Sequence, residues 1–331
     1  MLGHRFATRI NSFASDAARY WPDLAGKPSL AQMIARAATV KGLTELDLNY
    51  PDHVTDSPKE VAKMVADTGL GVSGLAMRYY SNPAFKLGAF TNPDRAVRRE
   101  AIDMTKRGID AAGEMNAPMM TLWLGQDGFD YGFQGDYRTM WADEIEAIAE
   151  VAAHDPTCMI SIEYKPNEPR AFSLLPDAAT TLMAIDEVGA DNLGVTIDFA
   201  HSLYANEQPA LSASHIMRRS KLFGMHLNDG YAKRDDGLMV GAVHVQATLE
   251  LLLAVKRGGY DGAIYFDTFP DASGLDPVAE CSANIRTVRR MIAAVELMDS
   301  NNKLGDAQAL QDPIVGQEIA QLALRGELLA S

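Results

Sequence analysis

Apolar residues are gathered into short runs along this chain, at 5–10, 43–48, 72–77, 119–124, 159–162, 193–197, 222–225 and 263–266. Runs of this length are typical of strands buried on both faces. Longer stretches lie between them, and at 29–39, 94–115 and 139–153 the apolar spacing is that of helices. Pro93 and Asp94 mark the start of one of these helices. Strand and helix alternate eight times, which predicts parallel strands joined by helical crossovers and closed into a single (β/α)8 barrel of the TIM type. Past the eighth unit, residues 299–303 are polar and the remainder turns helical again. We therefore expect a barrel over 1–298 and a short C-terminal helical arm over 299–331, packed on the barrel or on a neighbouring subunit.

Chemistry in such a barrel collects at the C-terminal ends of the strands. Asn11 follows the first run, Asp47 and Asn49 end the second, Arg78 follows the third, and Trp123, Gln126 and Asp127 follow the fourth. Glu163 and Lys165 come after the fifth, Asp198 and His201 after the sixth, His226, Asn228 and Asp229 after the seventh, and Asp267 after the eighth. All are expected at one mouth. Glu163, Asp198, His226 and Asp267 would be a costly set of buried charges without a cation or protons to neutralise them. Three carboxylates and an imidazole suit Mg, Mn or Co, with salt bridges to Lys and Arg as the alternative. His201 and the pair Asp235-Asp236 leave room for a second ion, unless His201 serves only to hold Asp198. Lys165 lies two residues beyond Glu163, on the same face of an extended strand. It can polarise a substrate oxygen, neutralise the carboxylates, or do both. Trp123 offers an apolar wall for a sugar, or belongs to the core. His4, His53, His154, His215 and His244 show no ligand-like pairing with strand-end carboxylates and are assigned to surface or packing.

The 331 residues carry a formal net charge of -14, and the only basic clusters are short pairs such as Arg98-Arg99 and Arg218-Arg219, so a nucleic-acid partner is excluded. No apolar stretch approaches the roughly 18 residues of a membrane span. His4, Arg5 and Arg9 stand where a signal peptide is apolar, so the expected address is the cytoplasm. Cys158 and Cys281 are too isolated for a disulfide framework or a thiolate metal site and are expected to be packing residues. There is no Gly-rich phosphate loop, no G-x-S-x-G elbow and no Cys-His pairing.

From about 43 to 292 the sequence resembles the xylose isomerases. SNPAFKLGAFTNPDRAVRR at 81–99, TLWLGQDG at 121–128, SKLFGMHLNDG at 220–230 and YFDTFP at 265–270 are similar to segments of that family. IEYKPNEPR at 162–170 matches its glutamate-lysine motif almost letter for letter. The resemblance implies aldose-ketose isomerisation of a small-molecule sugar with one or two divalent ions. The first ion would sit on Glu163, Asp198, His226 and Asp267, the second on Asp198, His201 and Asp235 or Asp236. Lys165, with Glu163 and His201, would act at the reacting atoms, while Trp123, Glu168 and Arg78 would meet the substrate. Tyr20 or Trp21 would close a neighbouring subunit's site in a homodimer or tetramer, or else make a contact within one chain.

There are also departures. His226 stands where xylose isomerases have aspartate, as in rhamnose isomerases and ketose 3-epimerases. Leu46 corresponds to the family's ring-opening histidine and Phe269 to its eighth-strand lysine. Leu46 cannot act as a base, and Asp47 is expected on the opposite side of the strand. An unphosphorylated sugar that opens readily, such as the branched furanose D-apiose, is therefore expected over a stable pyranose such as D-xylose. Ketose 3-epimerisation and a non-catalytic sugar-binding barrel are the alternatives.

Overall fold

The computed structural model describes residues 2–14, 27–54, 57–270 and 274–328. Tyr20 and Trp21 lie outside the described residues. The eight expected runs are all strands: β1 (Phe6–Arg9), β2 (Glu45–Tyr50), β3 (Gly71–Met77), β4 (Met119–Leu122), β5 (Met159–Glu163), β6 (Leu193–Asp198), β7 (Leu222–Leu227) and β8 (Ile264–Phe266). They close into one parallel barrel in the order β1-β8-β7-β6-β5-β4-β3-β2.

The wall is apolar on its outer side, where Leu46, Leu48, Ile160, Ile162, Val195 and Ile197 are buried under the helices. Local signals set the helix ends. Ser29 and Gln32 form a reciprocal capping box on Leu30–Ala37, and the Asp94 carboxylate caps Arg95–Glu114 through the Ala96 N–H. Asp136 caps Tyr137–Ala152, and Asp276 followed by Pro277 opens Pro277–Asp299. These four helices therefore start where the backbone N–H groups find a side-chain acceptor.

Two further helices, Asn302–Leu310 and Pro313–Arg325, follow the eighth unit. They pack on Pro277–Asp299 and bury Leu304, Ile319, Ala320 and Ala323 in the same apolar cluster as the barrel. Of the two expected seats for this arm, the described face lies on the chain's own barrel. Cys158 and Cys281 are buried and free, as packing residues should be. No helix among the described residues is long and apolar enough to cross a membrane.

Candidate active site

Glu163 and Asp198 are the last residues of β5 and β6, His226 is the penultimate residue of β7, and Asp267 directly follows β8. Strands that end at the same level therefore bring four residues far apart in sequence to one point. One ligand atom from each lies within 4.8 Å of all the others. His226 Nδ1 is 3.2 Å from Glu163 Oε1 and 4.0 Å from both Asp198 Oδ2 and Asp267 Oδ2. Ligands about 2.1–2.4 Å from a common ion stand up to about 4.8 Å apart across it, so this donor set fits a divalent cation.

The electrostatics agree with that fit. Burial pushes the Asp198 carboxyl up to about 7, against the pull of His201. Burial likewise raises Asp267, with Arg9 opposing. For Glu163 burial works against the charge, but His226, His201 and Arg78 outweigh it and hold the group at about 2. Burial also disfavours the charged form of His226, yet Glu163, Asp267 and Asp198 lift it to about 9. The four groups compete for protons, a competition that a shared cation would remove. Asn228 fixes Asp198 in place: its Nδ2 donates to Asp198 Oδ1 at 3.2 Å, to Oδ2 at 3.0 Å and to the Asp267 carbonyl at 3.1 Å.

Above the cluster opens a cavity of about 270 Å³, lined by Arg78, Tyr80, Trp123, Lys165, Glu168 and Phe269 among others. Lys165 Nζ donates to Asp235 Oδ2 at 3.0 Å, approaches Glu168 Oε2 at 3.2 Å, and lies 5.3 Å from the Trp123 ring centroid. Burial disfavours its charge, but Asp235 and Glu168 reverse the shift, so the ammonium is retained. His201 Nδ1 meets the Tyr164 carbonyl at 3.0 Å and Nε2 meets Asp235 Oδ2 at 3.2 Å. Asp235 therefore reaches the site. Asp236 does not, because it accepts from Tyr231 N and Arg234 Nε in its own loop. Arg78 donates to Asn49 Oδ1 at 2.9 Å, and Arg9 lies 3.7 Å from Asp267 and over the Phe269 ring. Trp123 Nε1 is buried without a hydrogen-bond partner among the described residues and forms part of the cavity wall.

Comparison with known proteins bears on the same residues. Positions 36–299 match the family model described as xylose isomerase-like TIM barrel. The chain belongs to that family. It is 30% identical over 211 residues to the xylose isomerase of Thermus thermophilus, a stretch covering 62% of this chain and 54% of that relative. The chain thus spans about half the length of the curated relative it matches. An L-ribulose 3-epimerase structure superposes with a TM-score of 0.68 at 17% identity, covering 88% of this chain and 95% of that one. A D-tagatose 3-epimerase-like protein gives 0.69 at 15% identity, covering 88% and 98%. At such identities the likeness is one of fold.

Against the xylose isomerase-like pattern, two expectations need correction. Leu46 is fully buried and absent from the cavity lining, whereas Asp47 lines the cavity, pushed up to about 7 by its burial. The second strand therefore does supply an acidic group at the site. Alternation itself holds, with Leu46 and Leu48 buried under the helices and Asp47 at the cavity; the expectation had the two sides of the strand exchanged. Second, the strand-end groups do not all converge. Asp127 Oδ1 accepts from Ala89 N, Thr91 N and Thr91 Oγ1, latching the loop after β3. Asp229 accepts from Val243 N and His244 N and pairs with His244 Nδ1 at 2.9 Å, so His244 has a carboxylate partner after all. Arg9, Tyr80 and Tyr265, which also line the cavity, are the residues that sequence reasoning passed over. Arg9 is the last residue of β1 and lies one position before the end of the first run, which was its one available signal.

The loops after β4 and β5 are tied into one wall. Gly128–Phe129 and Phe172–Ser173 form a short antiparallel ribbon, with the Phe129 and Phe172 rings stacked at 5.1 Å. A Cβ on Gly128 would stand 2.0 Å from the Phe172 carbonyl oxygen, so this approach requires glycine. Asp130 completes the tie, accepting from Arg170 Nε at 2.9 Å and Ala171 N at 3.0 Å.

Proposed function

We propose that the protein is a divalent-metal-dependent aldose-ketose isomerase acting on a free sugar by hydrogen transfer between C1 and C2. The observation that carries this reading is the meeting of Glu163, Asp198, His226 and Asp267 within 4.8 Å, beside a charged, buried Lys165. The four would hold one Mg, Mn or Co ion, which when bound acts as a Lewis acid on adjacent sugar oxygens. Lys165 Nζ donates to the substrate oxygen on which negative charge develops. His201 holds Asp235, and Asp235 together with Glu168 holds Lys165. Trp123 packs on the carbon chain, with its Nε1–H available to a hydroxyl. The ammonium of Lys165 already serves Asp235, which favours a one-ion site.

Arg9 and Arg78 are engaged with Asp267 and Asn49, and the mouth is otherwise rich in carboxylates, which supports an unphosphorylated sugar. D-apiose and short or branched aldoses are the first candidates, with D-xylose beside them now that Asp47 lines the cavity. The active form is proposed to be a homo-oligomer whose subunits share the active site. A fully active monomer at assay dilution would rule that out.

The test is a panel of free tetroses, pentoses, hexoses and branched aldoses, assayed after chelation and after metal is restored. Activity should return with metal in the native chain, while Glu163→Gln and Asp267→Asn should lose metal and turnover together. Products epimerised at C3 would instead identify a ketose 3-epimerase. Sugar affinity that persists in chelator without turnover would identify a binding barrel.

A further inference from the structure

The loop after β7 carries Asp235 to the site, and one buried residue closes that loop twice. Asp229 lies two residues beyond β7 and is fully buried. Its main chain pairs with Leu238 in both directions: Asp229 N–H donates to the Leu238 carbonyl at 3.0 Å, and Leu238 N–H donates to the Asp229 carbonyl at 2.9 Å. Its carboxylate then draws in the far end of the loop. Oδ1 meets Gly230 N at 2.8 Å and His244 Nδ1 at 2.9 Å, and Oδ2 accepts from Val243 N and His244 N, both at 2.8 Å. His244 directly precedes the helix Val245–Arg257, so the exit of the loop is fixed to a helix start, where a carboxylate is well placed.

Asp235 lies inside the closed segment. Its Oδ2 receives Lys165 Nζ at 3.0 Å and His201 Nε2 at 3.2 Å, while Oδ1 is buried with no hydrogen-bond partner among the described residues. Its carboxylate thus takes no hydrogen bond from its own loop. The neighbouring Asp236 takes those of Tyr231 N and Arg234 Nε instead. The place of Asp235 against the wall of the site is therefore set by the loop backbone. Phe269 N donates to the Gly237 carbonyl at 2.8 Å and Val240 N to Asn284 Oδ1 at 3.0 Å, and both ties hold the half of the loop that returns after Asp235. The half that leads to Asp235 starts at Asp229, which joins the two halves.

We propose that Asp229 is a positioning residue: by closing the loop it holds Asp235 against Lys165 and His201, and so aims the Lys165 ammonium at the substrate oxygen. Asp229 is absent from the cavity lining and from the four-residue cluster, so it acts through Asp235 alone. The end of β7 then divides its work by position. His226 belongs to the cluster, Asn228 steadies Asp198, and Asp229 steadies Asp235. A reacting group displaced by about 1 Å can lose about 10²-fold in rate, so a slack loop is felt at the chemistry without any change in the reacting groups themselves. The kinetic consequence rests on the isomerase reading, whereas the hold on Lys165 does not.

The experiment compares the full native chain with Asp229→Ala, which removes the carboxylate, and Asp229→Asn, which keeps an acceptor for Val243 and His244. The Lys165 side chain is 8% exposed and paired with Asp235, so acetic anhydride should label it slowly in the native chain, as read by peptide mass spectrometry. In Asp229→Ala the labelling of Lys165 should quicken about 3- to 10-fold, and amide exchange should rise across 230–243 without rising in β1–β6. With metal restored, kcat should fall about 10- to 100-fold while KM and calorimetric Mn affinity stay within about twofold. Asp229→Asn should fall between Asp229→Ala and the native chain in each measurement. Should Asp229→Ala fail to fold, Asp229→Asn is read against the native chain, with smaller changes of the same sign expected. Lys165 labelling that is unchanged in the variant that folds would overturn the proposal. So would exchange raised throughout the barrel, or Mn affinity lost along with kcat, since either marks a residue that serves the fold at large. If no sugar is turned over by the native chain, the isomerase reading fails, while labelling and exchange still decide whether Asp229 holds Lys165.

Discussion

Asp235 Oδ2 receives Lys165 Nζ at 3.0 Å and His201 Nε2 at 3.2 Å, so one carboxylate oxygen orders two cationic or polar groups at the reacting wall. Because the ion pairs of Lys165 are with Asp235 and Glu168 and not with the four proposed ligands, its charge and the ion's seat are separable. Lys165→Met should lower kcat by about 10²- to 10³-fold, the usual effect of removing one donor to a developing oxyanion. Mn affinity measured by calorimetry should move far less. Release of the metal or unfolding would make the lysine a structural residue. Asn228 has the complementary role. It donates to both Asp198 oxygens and to the Asp267 carbonyl, and its own Oδ1 accepts the Ala200 N–H. Asn228→Ala should weaken Mn binding about 10- to 100-fold, typical of losing a group that aims a ligand, with the far-UV spectrum retained. Unchanged Mn affinity would show that Asp198 needs no such support.

At the scale of elements, much was legible in the sequence because strand and helix periods differ so plainly here. The eight runs hold β1–β8, and the helices expected at 29–39, 94–115 and 139–153 are Leu30–Ala37, Arg95–Glu114 and Tyr137–Ala152, opened by the Ser29, Asp94 and Asp136 caps. The phase of a short strand was less legible. β2 reads Glu-Leu-Asp-Leu-Asn-Tyr, and only the closed barrel decides that Asp47 faces the axis while Leu46 meets the helices. A strand-end carboxylate likewise looks the same in sequence whether it serves a ligand or loop amides, as Asp127 and Asp229 do.

The helix Tyr137–Ala152 hides a group that its pattern did not announce. Glu144 is fully buried, and neither carboxyl oxygen finds a hydrogen-bond partner among the described residues. Burial, with Asp127 and Asp143 adding to it, raises its pKa well above 4.5. The folded chain thus keeps a proton that the unfolded chain releases above about 4.5, so stability falls as pH rises past that value. Glu144→Gln removes the penalty and should melt at a higher temperature than the native protein at pH 8, with a smaller gap at pH 5. A gap independent of pH would mean that the proton is not held.

For the molecule as a whole, the last two helices belong to the same apolar cluster as the barrel, yet they contribute nothing to the mouth. Lys256 and Arg257 both reach Asp299, and Arg257 also reaches Gln308, which ties the junction to the helix after β7. Removing 300–331 would uncover the face of Pro277–Asp299 on which Ile319 and Ala320 sit. The truncated chain should melt several degrees lower and aggregate more readily, while Mn affinity at the four-residue site stays within about twofold; a large loss of Mn would mean that the arm supports the mouth. The ribbon joining Gly128–Phe129 to Phe172–Ser173 bears on how such a barrel can be re-engineered. The loops that present Trp123 and Lys165 share backbone pairing, a ring stack and the Asp130 tie, so they form a single exchangeable cassette. Transplanting one of them from a relative strands its partner's N–H and C=O groups, whereas moving 123–137 and 165–175 together carries a finished wall into the new scaffold.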